Sequence, residues 1–346
     1  MPQGLASTFR PDHANDIMHD QPAPADYARL TPDTLLGAVE SLDYLTSGQL
    51  LALNSYENRV YQVGLEDAAP LIVKFYRPQR WSNDAILEEH AFALELAEHE
   101  IPVVAPLQQA GTTLHRFEGY RFAVYPRQGG HWPELGSSDE RMWMGRFIGR
   151  IHAVGASCPF EHRPALDIES FGRTPRRFLL EGGFLPEHIE TAYRTLTSDL
   201  IAGIEDCFDS AGSITSIRLH GDCHPGNILW TSDGPHFVDL DDCRSGPAIQ
   251  DLWMLLSGDR SEMQLQLGEI LDGYLQFHEL DYRELQLIEA LRTLRMIHYA
   301  GWLARRWDDP AFPRAFPWFN TPRYWEEHIL ALREQAALLQ EPPLVV

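Results

Sequence analysis

The first regular pattern of apolar residues along the chain has the spacing of a helix. Leu35, Leu36 and Val39 recur every one to four residues and share one face of a helix. Thr31 is a suitable N-cap, and Pro32 fits the first helical position, where its missing N–H is not needed. The pattern predicts a helix over residues 31–42.

The apolar spacing then changes to that of strands. Residues 54–67 and 70–78 predict two strands around a turn. Residues 82–100 return to helical spacing, with Ser82 or Asn83 as the cap. Residues 101–130 suggest further strands that end at a pair of glycines. This order predicts a mostly antiparallel sheet with one helix inserted into it.

Helical patterns dominate the rest of the chain. Only residues 218–242 interrupt them, with short strands on either side of the turn at residues 231–234. We therefore predict an α+β fold of two lobes, with a β-rich lobe at 29–126 and a large, mostly helical lobe at 127–346. A cleft between the lobes is the natural place for a ligand. Residues 1–28 are polar and rich in Pro, Asp and Ala, and predict a flexible tail.

Composition excludes several classes of function. The 346 residues carry a formal charge of −22 at pH 7, which argues against nonspecific nucleic-acid binding because phosphate contacts need Lys and Arg. No apolar run approaches the roughly 20 residues that span a bilayer. The N-terminus lacks the basic start and apolar core of a secretory signal, and the four cysteines form no CxxC pair. These features predict a cytoplasmic protein without a membrane anchor or a disulfide framework.

The densest chemistry lies in two neighbouring segments, RLHGDCHPGNILW (218–230) and HFVDLDD (236–242). Asp222 and Asn227 are five residues apart, and Asp239 ends the next apolar run. Because the intervening hairpin is short, we expect these three side chains to converge. Amide and carboxylate oxygens suit Mg²⁺ and are poor ligands for zinc. A further carboxylate could orient and deprotonate an attacking hydroxyl.

Protein kinases use this spacing, but here Gly221 replaces the arginine of their histidine-arginine-aspartate triplet. That variant resembles the aminoglycoside phosphotransferase and choline kinase branch of the kinase-like fold. The resemblance implies that Asp222 and Asp239 are catalytic, that Asn227 and Asp239 hold Mg²⁺, and that Asp251 bonds the backbone of the catalytic loop.

The resemblance also assigns the nucleotide phosphates to the β-rich lobe. Lys74, on an apolar strand, would bind them and pair with a glutamate of the next helix. Glu88 and Glu89 are both candidates, and the spacing of the following leucines favours Glu89. No glycine-rich loop precedes Lys74, so Ser55 would cover the phosphates instead.

Several motifs together resemble the bacterial stress response kinases of the RdoA type, over residues 30–343. These motifs include LNSYENRVYQV, IVKFYRPQRW and RRWDDPAFPRAFPW. The resemblance implies Mg²⁺-ATP-dependent phosphorylation of protein Ser/Thr, with ATP as co-substrate. It further implies autophosphorylation, a cytoplasmic monomer, and a role in surviving stress-induced death.

Other hypotheses fit parts of the same pattern. A kinase for a small alcohol such as an aminoglycoside, choline or homoserine would share every catalytic residue.

A zinc hydrolase could use His220, Asp222 and His224, although His220 is better explained as a residue that braces the loop. The segment HFVDLDD also resembles the DxD strand of haloacid dehalogenase phosphatases. A pseudokinase, which would bind nucleotide without turnover, is disfavoured because each expected catalytic position is filled.

Overall fold

A computed structural model describes residues 26–346 of the chain. These residues form two compact units. The sheet unit comprises residues 26–82 and 107–127, and the helical unit comprises residues 83–106 and 128–346. Of the predicted tail, residues 1–25 lie outside the described part of the chain.

An antiparallel sheet forms the centre of the sheet unit. Its described strands stand in the spatial order β1-β2-β3-β5-β4, which places β3 in the middle. The strands predicted within residues 54–67, 70–78 and 112–130 are confirmed, but residues 101–111, where a strand was also expected, form only isolated bridges. The sequence pattern did not indicate β1, most of whose side chains are exposed. The strands are β1 (Thr46–Ala52), β2 (Arg59–Leu65), β3 (Leu71–Phe75), β4 (His115–Phe117) and β5 (Tyr120–Pro126).

The predicted N-terminal helix is present as α1 (Pro32–Glu40). The Thr31 hydroxyl accepts a hydrogen bond from the Thr34 N–H at 3.3 Å, as expected of an N-cap. On the inner face of the helix, Leu35 and Val39 join the buried apolar cluster of the sheet. Burial of this face stabilises the helix, which is too short to be stable alone.

Helices make up most of the helical unit, as the sequence predicts. Two short antiparallel strand pairs, β6 (Ile217–Leu219) with β9 (Arg244–Gly246) and β7 (Ile228–Thr231) with β8 (Gly234–Phe237), interrupt them. The helices of this unit are α2 (Asn83–Glu98), α3 (Ser138–Gly155), α4 (Thr174–Glu181), α5 (Glu187–Ala211), α6 (Ile249–Trp253), α7 (Arg260–Tyr274), α8 (Ile288–Arg305), α9 (Ala311–Ala315) and α10 (Pro322–Leu338).

Helices α3 and α7 pack with their backbones unusually close. A Cβ at Gly145 of α3 would lie 1.9 Å from the Ile270 carbonyl oxygen, and one at Gly273 of α7 would lie 1.9 Å from the Met142 carbonyl oxygen. Only glycine permits this approach. It fixes the relative position of two helices that both carry side chains behind the candidate site.

The two units confirm the predicted α+β fold class, an antiparallel sheet followed by a mostly helical part. In residues 26–346, no helix has both the length and the apolar character required to cross a bilayer. The antiparallel sheet also disagrees with the parallel, Rossmann-like sheet that a haloacid dehalogenase phosphatase requires.

Gly145→Ala should lower the free energy of unfolding by about 1–3 kcal/mol, because the added methyl forces α3 and α7 apart. Gly268→Ala on α7 is the matched control, since nothing lies within 4 Å of its added Cβ. That control should raise stability by about 0.5–1 kcal/mol through its higher helix propensity. Urea unfolding of both variants measures the difference, and equal effects would contradict the packing argument.

Candidate active site

The loop between β6 and β7 is held by a buried carboxylate. Asp251 of α6 accepts the backbone N–H of His220 and of Gly221, each at 2.8 Å. Gly221 has φ +81°, and a Cβ on it would lie 2.4 Å from the Asp242 carbonyl oxygen. Asp251 therefore anchors the backbone directly before Asp222, as the family resemblance implied.

Further polar side chains support Asp251 from behind. The His152 Nε2 of α3 lies 3.2 Å from the Asp251 Oδ2, and the Tyr274 hydroxyl of α7 lies 2.9 Å from the His152 Nδ1. All three side chains are buried. The sequence pattern gave no sign of this network, because His152 and Tyr274 sit among core positions of two distant helices. Close packing of α3 and α7 brings them together.

His220 braces the loop, as predicted. Its Nε2 lies 3.0 Å from the Val238 carbonyl oxygen, which ties the start of the loop to the segment after β8. In the described part of the chain, no three His, Cys, Asp or Glu side chains are grouped so as to hold a metal. His220, Asp222 and His224 therefore do not form the zinc site considered as an alternative.

Asn227 and Asp239 flank the hairpin of β7 and β8. The Val238 N–H donates to the Asn227 carbonyl oxygen at 3.0 Å, which sets the two ends of the hairpin side by side. Asp239 has φ +58°, a left-handed conformation that costs a non-glycine residue about 1–3 kcal/mol and is concentrated at functional sites. The hairpin thus holds a strained aspartate beside an asparagine.

The orientation of the Asn227 amide fits a hard cation. Its Nδ2 donates to the Asp222 carbonyl oxygen at 3.0 Å and to the Asp222 Oδ2 at 3.2 Å. Both partners are acceptors, so the amide nitrogen must face them and the Oδ1 faces away. That oxygen accepts no hydrogen bond from the described residues. Together with the Asp239 carboxylate it supplies oxygen ligands of the kind Mg²⁺ prefers.

Asp222 is ionised, and both of its carboxylate oxygens have partners. Its Oδ1 lies 2.5 Å from the Arg295 guanidinium of α8, and its Oδ2 lies 3.4 Å from the His224 Nε2. Burial alone would raise the pKa of Asp222, but the hydrogen bond from His224 and the charge of Arg295 outweigh it and hold the pKa well below its usual range. Because the His224 Nδ1 accepts the Gly226 N–H, the Nε2 carries the proton that faces Asp222.

The two adjacent glutamates of α2 make different contacts. The Glu88 carboxylate accepts the backbone N–H groups of residues 161, 162 and 163 at 2.5–2.8 Å. Glu89 points instead into the interior, where it is 3% exposed and its Oε2 lies 3.9 Å from the Arg163 guanidinium. Glu88 therefore has a structural function, and Glu89 remains the candidate for the phosphate-side pair.

Arg163 connects Glu89 to the segment that follows Asp239. Its guanidinium donates to the carbonyl oxygens of Asp241 and Cys243. A buried arginine is a cost unless its donors are used, and these bonds use its Nε and Nη2. Helix α2 and residues 241–243 are thus positioned by the same side chain.

The other predicted residues lie in the sheet unit. Lys74 is buried on β3, paired with Val60 of β2 and Ala123 of β5, and its Nζ lies 5.1 Å from the centre of the Tyr76 ring. Ser55 lies between β1 and β2, where its hydroxyl donates to the Asn58 carbonyl oxygen at 3.2 Å.

Two cysteines beside the loop are packing residues. Cys223 and Cys243 are both buried. Burial raises the pKa of the Cys223 thiol well above its usual value and that of Cys243 to about 12. Both thiols therefore stay protonated at neutral pH.

Comparison with known proteins identifies the family. Residues 49–288 match the model of a phosphotransferase enzyme family. The chain is 46% identical over 318 residues to stress response kinase A of Escherichia coli K12, covering 92% of this chain and 96% of that protein. It is 45% identical, with the same coverage, to the serine/threonine protein kinase RdoA of Salmonella typhimurium LT2.

The chain belongs to this phosphotransferase family. Within the family it groups with the stress response kinases, and it is an ATP-dependent phosphotransferase.

Solved structures agree on the fold. An amicoumacin kinase in complex with AMP-PNP, Ca²⁺ and Ami superposes with a TM-score of 0.68 at 20% identity, over 90% of this chain and 95% of that one. A microcompartment-associated aminopropanol kinase gives a TM-score of 0.65 at 17% identity, over 88% and 96%. At these identities the likeness concerns the fold alone.

Asp251→Asn should loosen the loop of this phosphotransferase. An amide has one acceptor oxygen in place of two, so one of the two backbone N–H groups loses its partner, at a cost of about 1–3 kcal/mol. Amide hydrogen exchange at residues 220 and 221 should then be roughly ten-fold faster or more. Asp259→Asn, which keeps a good N-cap on α7, is the control and should leave this exchange unchanged. Equal exchange in both variants would contradict the anchoring role.

Proposed function

We propose that this phosphotransferase is a Mg²⁺-ATP-dependent serine/threonine protein kinase that also phosphorylates itself and acts in bacterial stress response and protection from stress-induced death. The observation that carries the proposal is the likeness to stress response kinase A along 92% of the chain, with the kinase set of Asp222, Asn227 and Asp239 filled. We further propose that it acts as a cytoplasmic monomer and binds neither nucleic acid nor membrane.

Asp222 is the proposed group that orients and deprotonates the acceptor hydroxyl. The hydroxyl oxygen forms a bond to the γ-phosphorus of ATP as the bond from that phosphorus to the β,γ-bridging oxygen breaks. The hydroxyl proton passes to the Asp222 carboxylate, and ADP leaves. Such a reaction depends on positioning and on neutralising charge more than on covalent catalysis.

Asn227 and Asp239 are the proposed ligands of Mg²⁺. The free Oδ1 of the Asn227 amide supports this role, since its nitrogen is committed to Asp222. The ion, when bound, neutralises charge on the phosphate oxygens. Asn227 and Asp239 would hold it in place, because their hairpin fixes both backbones.

Lys74, Glu89 and Ser55 are the proposed phosphate-side residues. The charge of the buried Lys74 would neutralise nucleotide phosphates, and Glu89 is the proposed carboxylate of this part of the site. Glu88 is the weaker candidate because loop N–H groups already use its carboxylate. Ser55 would cover the phosphates in place of a glycine-rich loop.

A small-molecule kinase is the second candidate function. It is favoured by the structural likeness to amicoumacin and aminopropanol kinases, whose names state small acceptors. These two functions share the same chemistry and differ only in the molecule that presents the hydroxyl.

Labelled ATP with Mg²⁺ distinguishes the two candidates. We expect label in the protein itself and in generic protein acceptors, and a loss of roughly 100-fold or more in Asp222→Asn, the size of a general-base effect. That variant should retain nucleotide binding, whereas Asp239→Asn should lose metal-dependent binding as well. Asp233→Asn, in the exposed turn between β7 and β8, is the control. Label only in small alcohols would refute the protein-kinase proposal, and wild-type turnover by Asp222→Asn would refute the role of Asp222.

Glu88→Gln and Glu89→Gln compare two adjacent carboxylates. The binding of Mg²⁺-ATP should raise the Tm of wild-type protein, because a ligand specific for the native state stabilises it. Glu89→Gln should lose most of this rise, whereas Glu88→Gln should lower the starting Tm and keep the rise. A nucleotide-dependent rise of normal size in Glu89→Gln would exclude Glu89 from the phosphate site.

A further inference from the structure

Asp222 is occupied before any acceptor arrives. Arg295 contacts its Oδ1 at 2.5 Å, while the Asn227 amide and His224 contact its Oδ2 at 3.2 and 3.4 Å. Both carboxylate oxygens therefore have charged or polar partners. An acceptor hydroxyl that Asp222 is to orient must compete with at least one of them.

Arg295 is the partner that can move. Its side chain is 36% exposed and reaches Asp222 from α8, 73 residues further along the chain. The Asn227 amide, by contrast, is fixed by a second bond to the Asp222 backbone. His224 is as exposed as Arg295, but the Gly226 N–H holds its ring through Nδ1. Arg295 is therefore the partner that an incoming hydroxyl can displace.

A neutral hydroxyl is a poor competitor for this position. Hydrogen bonds between charged groups are about twice as strong as those between neutral groups. Among the described residues, Arg295 pairs with no carboxylate other than Asp222. Arg292, one turn earlier on α8, differs, because it pairs with Glu289 at 3.7 Å and lies over the Trp253 ring. Arg295 can leave Asp222 at low cost only if another anion receives it.

On the basis of the kinase function proposed above, we propose that Arg295 binds an anionic group of the acceptor, and that the preferred acceptor is a peptide with an acidic residue close to its Ser or Thr. The acidic group draws the guanidinium away from the Asp222 Oδ1, and the freed oxygen accepts the hydrogen bond of the hydroxyl. Phosphoryl transfer then proceeds as described. The anion is a carboxylate or a phosphate, since both accept a bidentate arginine.

The formal charge of the chain bears on where a preference for acidic peptides can come from. At −22 the protein as a whole repels acidic peptides. A preference for such peptides must therefore come from a local cation at the site. Arg295 supplies that charge, and its removal should abolish the preference rather than merely weaken it.

Charge reversal at Arg295 tests the proposal. The substrates are peptides with one Ser and a neighbouring Glu, phosphoserine, Gln or Lys in an otherwise neutral sequence. For wild-type protein we expect kcat/KM for the Glu peptide to exceed that for the Lys peptide by roughly ten-fold or more, the scale of one charged hydrogen bond. Arg295→Glu should reverse the order and Arg295→Gln should level it. The phosphoserine peptide shows whether phosphate serves as well as carboxylate.

Arg323→Glu is the matched control. It makes the same charge change on the exposed surface of α10, where Arg323 pairs with Glu327, and should keep the wild-type order. Equal rates for Glu, Gln and Lys peptides in wild-type protein would overturn the role of Arg295 and leave the kinase function intact. Retention of the Glu preference in Arg295→Glu would overturn it as well.

Hydrolysis of ATP without an acceptor gives a second, independent measurement. If Arg295 occupies the oxygen that would otherwise orient water, Arg295→Gln should hydrolyse ATP several-fold faster than wild-type protein. An equal or lower rate would refute the proposal. If wild-type protein labels no peptide at all, the protein-kinase function fails, and this hydrolysis rate still decides whether Arg295 restrains Asp222.

Discussion

Two hydrogen bonds to the buried Asp251 carboxylate determine the geometry of the whole site. Their donors are two consecutive backbone N–H groups. A buried charge is unfavourable unless its hydrogen bonds are complete. His220 and Gly221 complete them from the front and His152 from behind. Because the two anchored amides directly precede Asp222, the direction of its side chain is fixed by a core residue. The position of that core residue depends in turn on the close packing of α3 and α7.

Gly221 explains why the cations of this site come from distant segments. Its positive φ and the close Asp242 carbonyl oxygen leave no room for a side chain, so the loop cannot carry the arginine that protein kinases place there. Arg295 supplies positive charge to Asp222 from α8, and Arg163 supplies it to residues 241–243. Both arginines lie outside the loop in the sequence.

The sequence predicts features that depend on residues close together in the chain. It does not predict contacts between residues far apart in the chain. The spacing of Asp222, Asn227 and Asp239 was informative because a short hairpin joins them, and the α1 cap is a local contact between Thr31 and Thr34. Strand β1 was missed because most of its side chains are exposed and show no alternation. Arg295 and His152 were missed because their partners lie 73 and 99 residues away, and no spacing rule connects them.

The two adjacent glutamates of α2 show that even neighbouring residues cannot be told apart from the sequence alone. Adjacent residues on a helix point about 100° apart, so the sequence permits either to face the interior. The choice is made by residues 161–163, whose N–H groups need an acceptor and find it in Glu88. Glu89 is then left beside Arg163, which also holds the segment after Asp239. The backbone of residues 161–163 thereby decides which of the two carboxylates faces the interior.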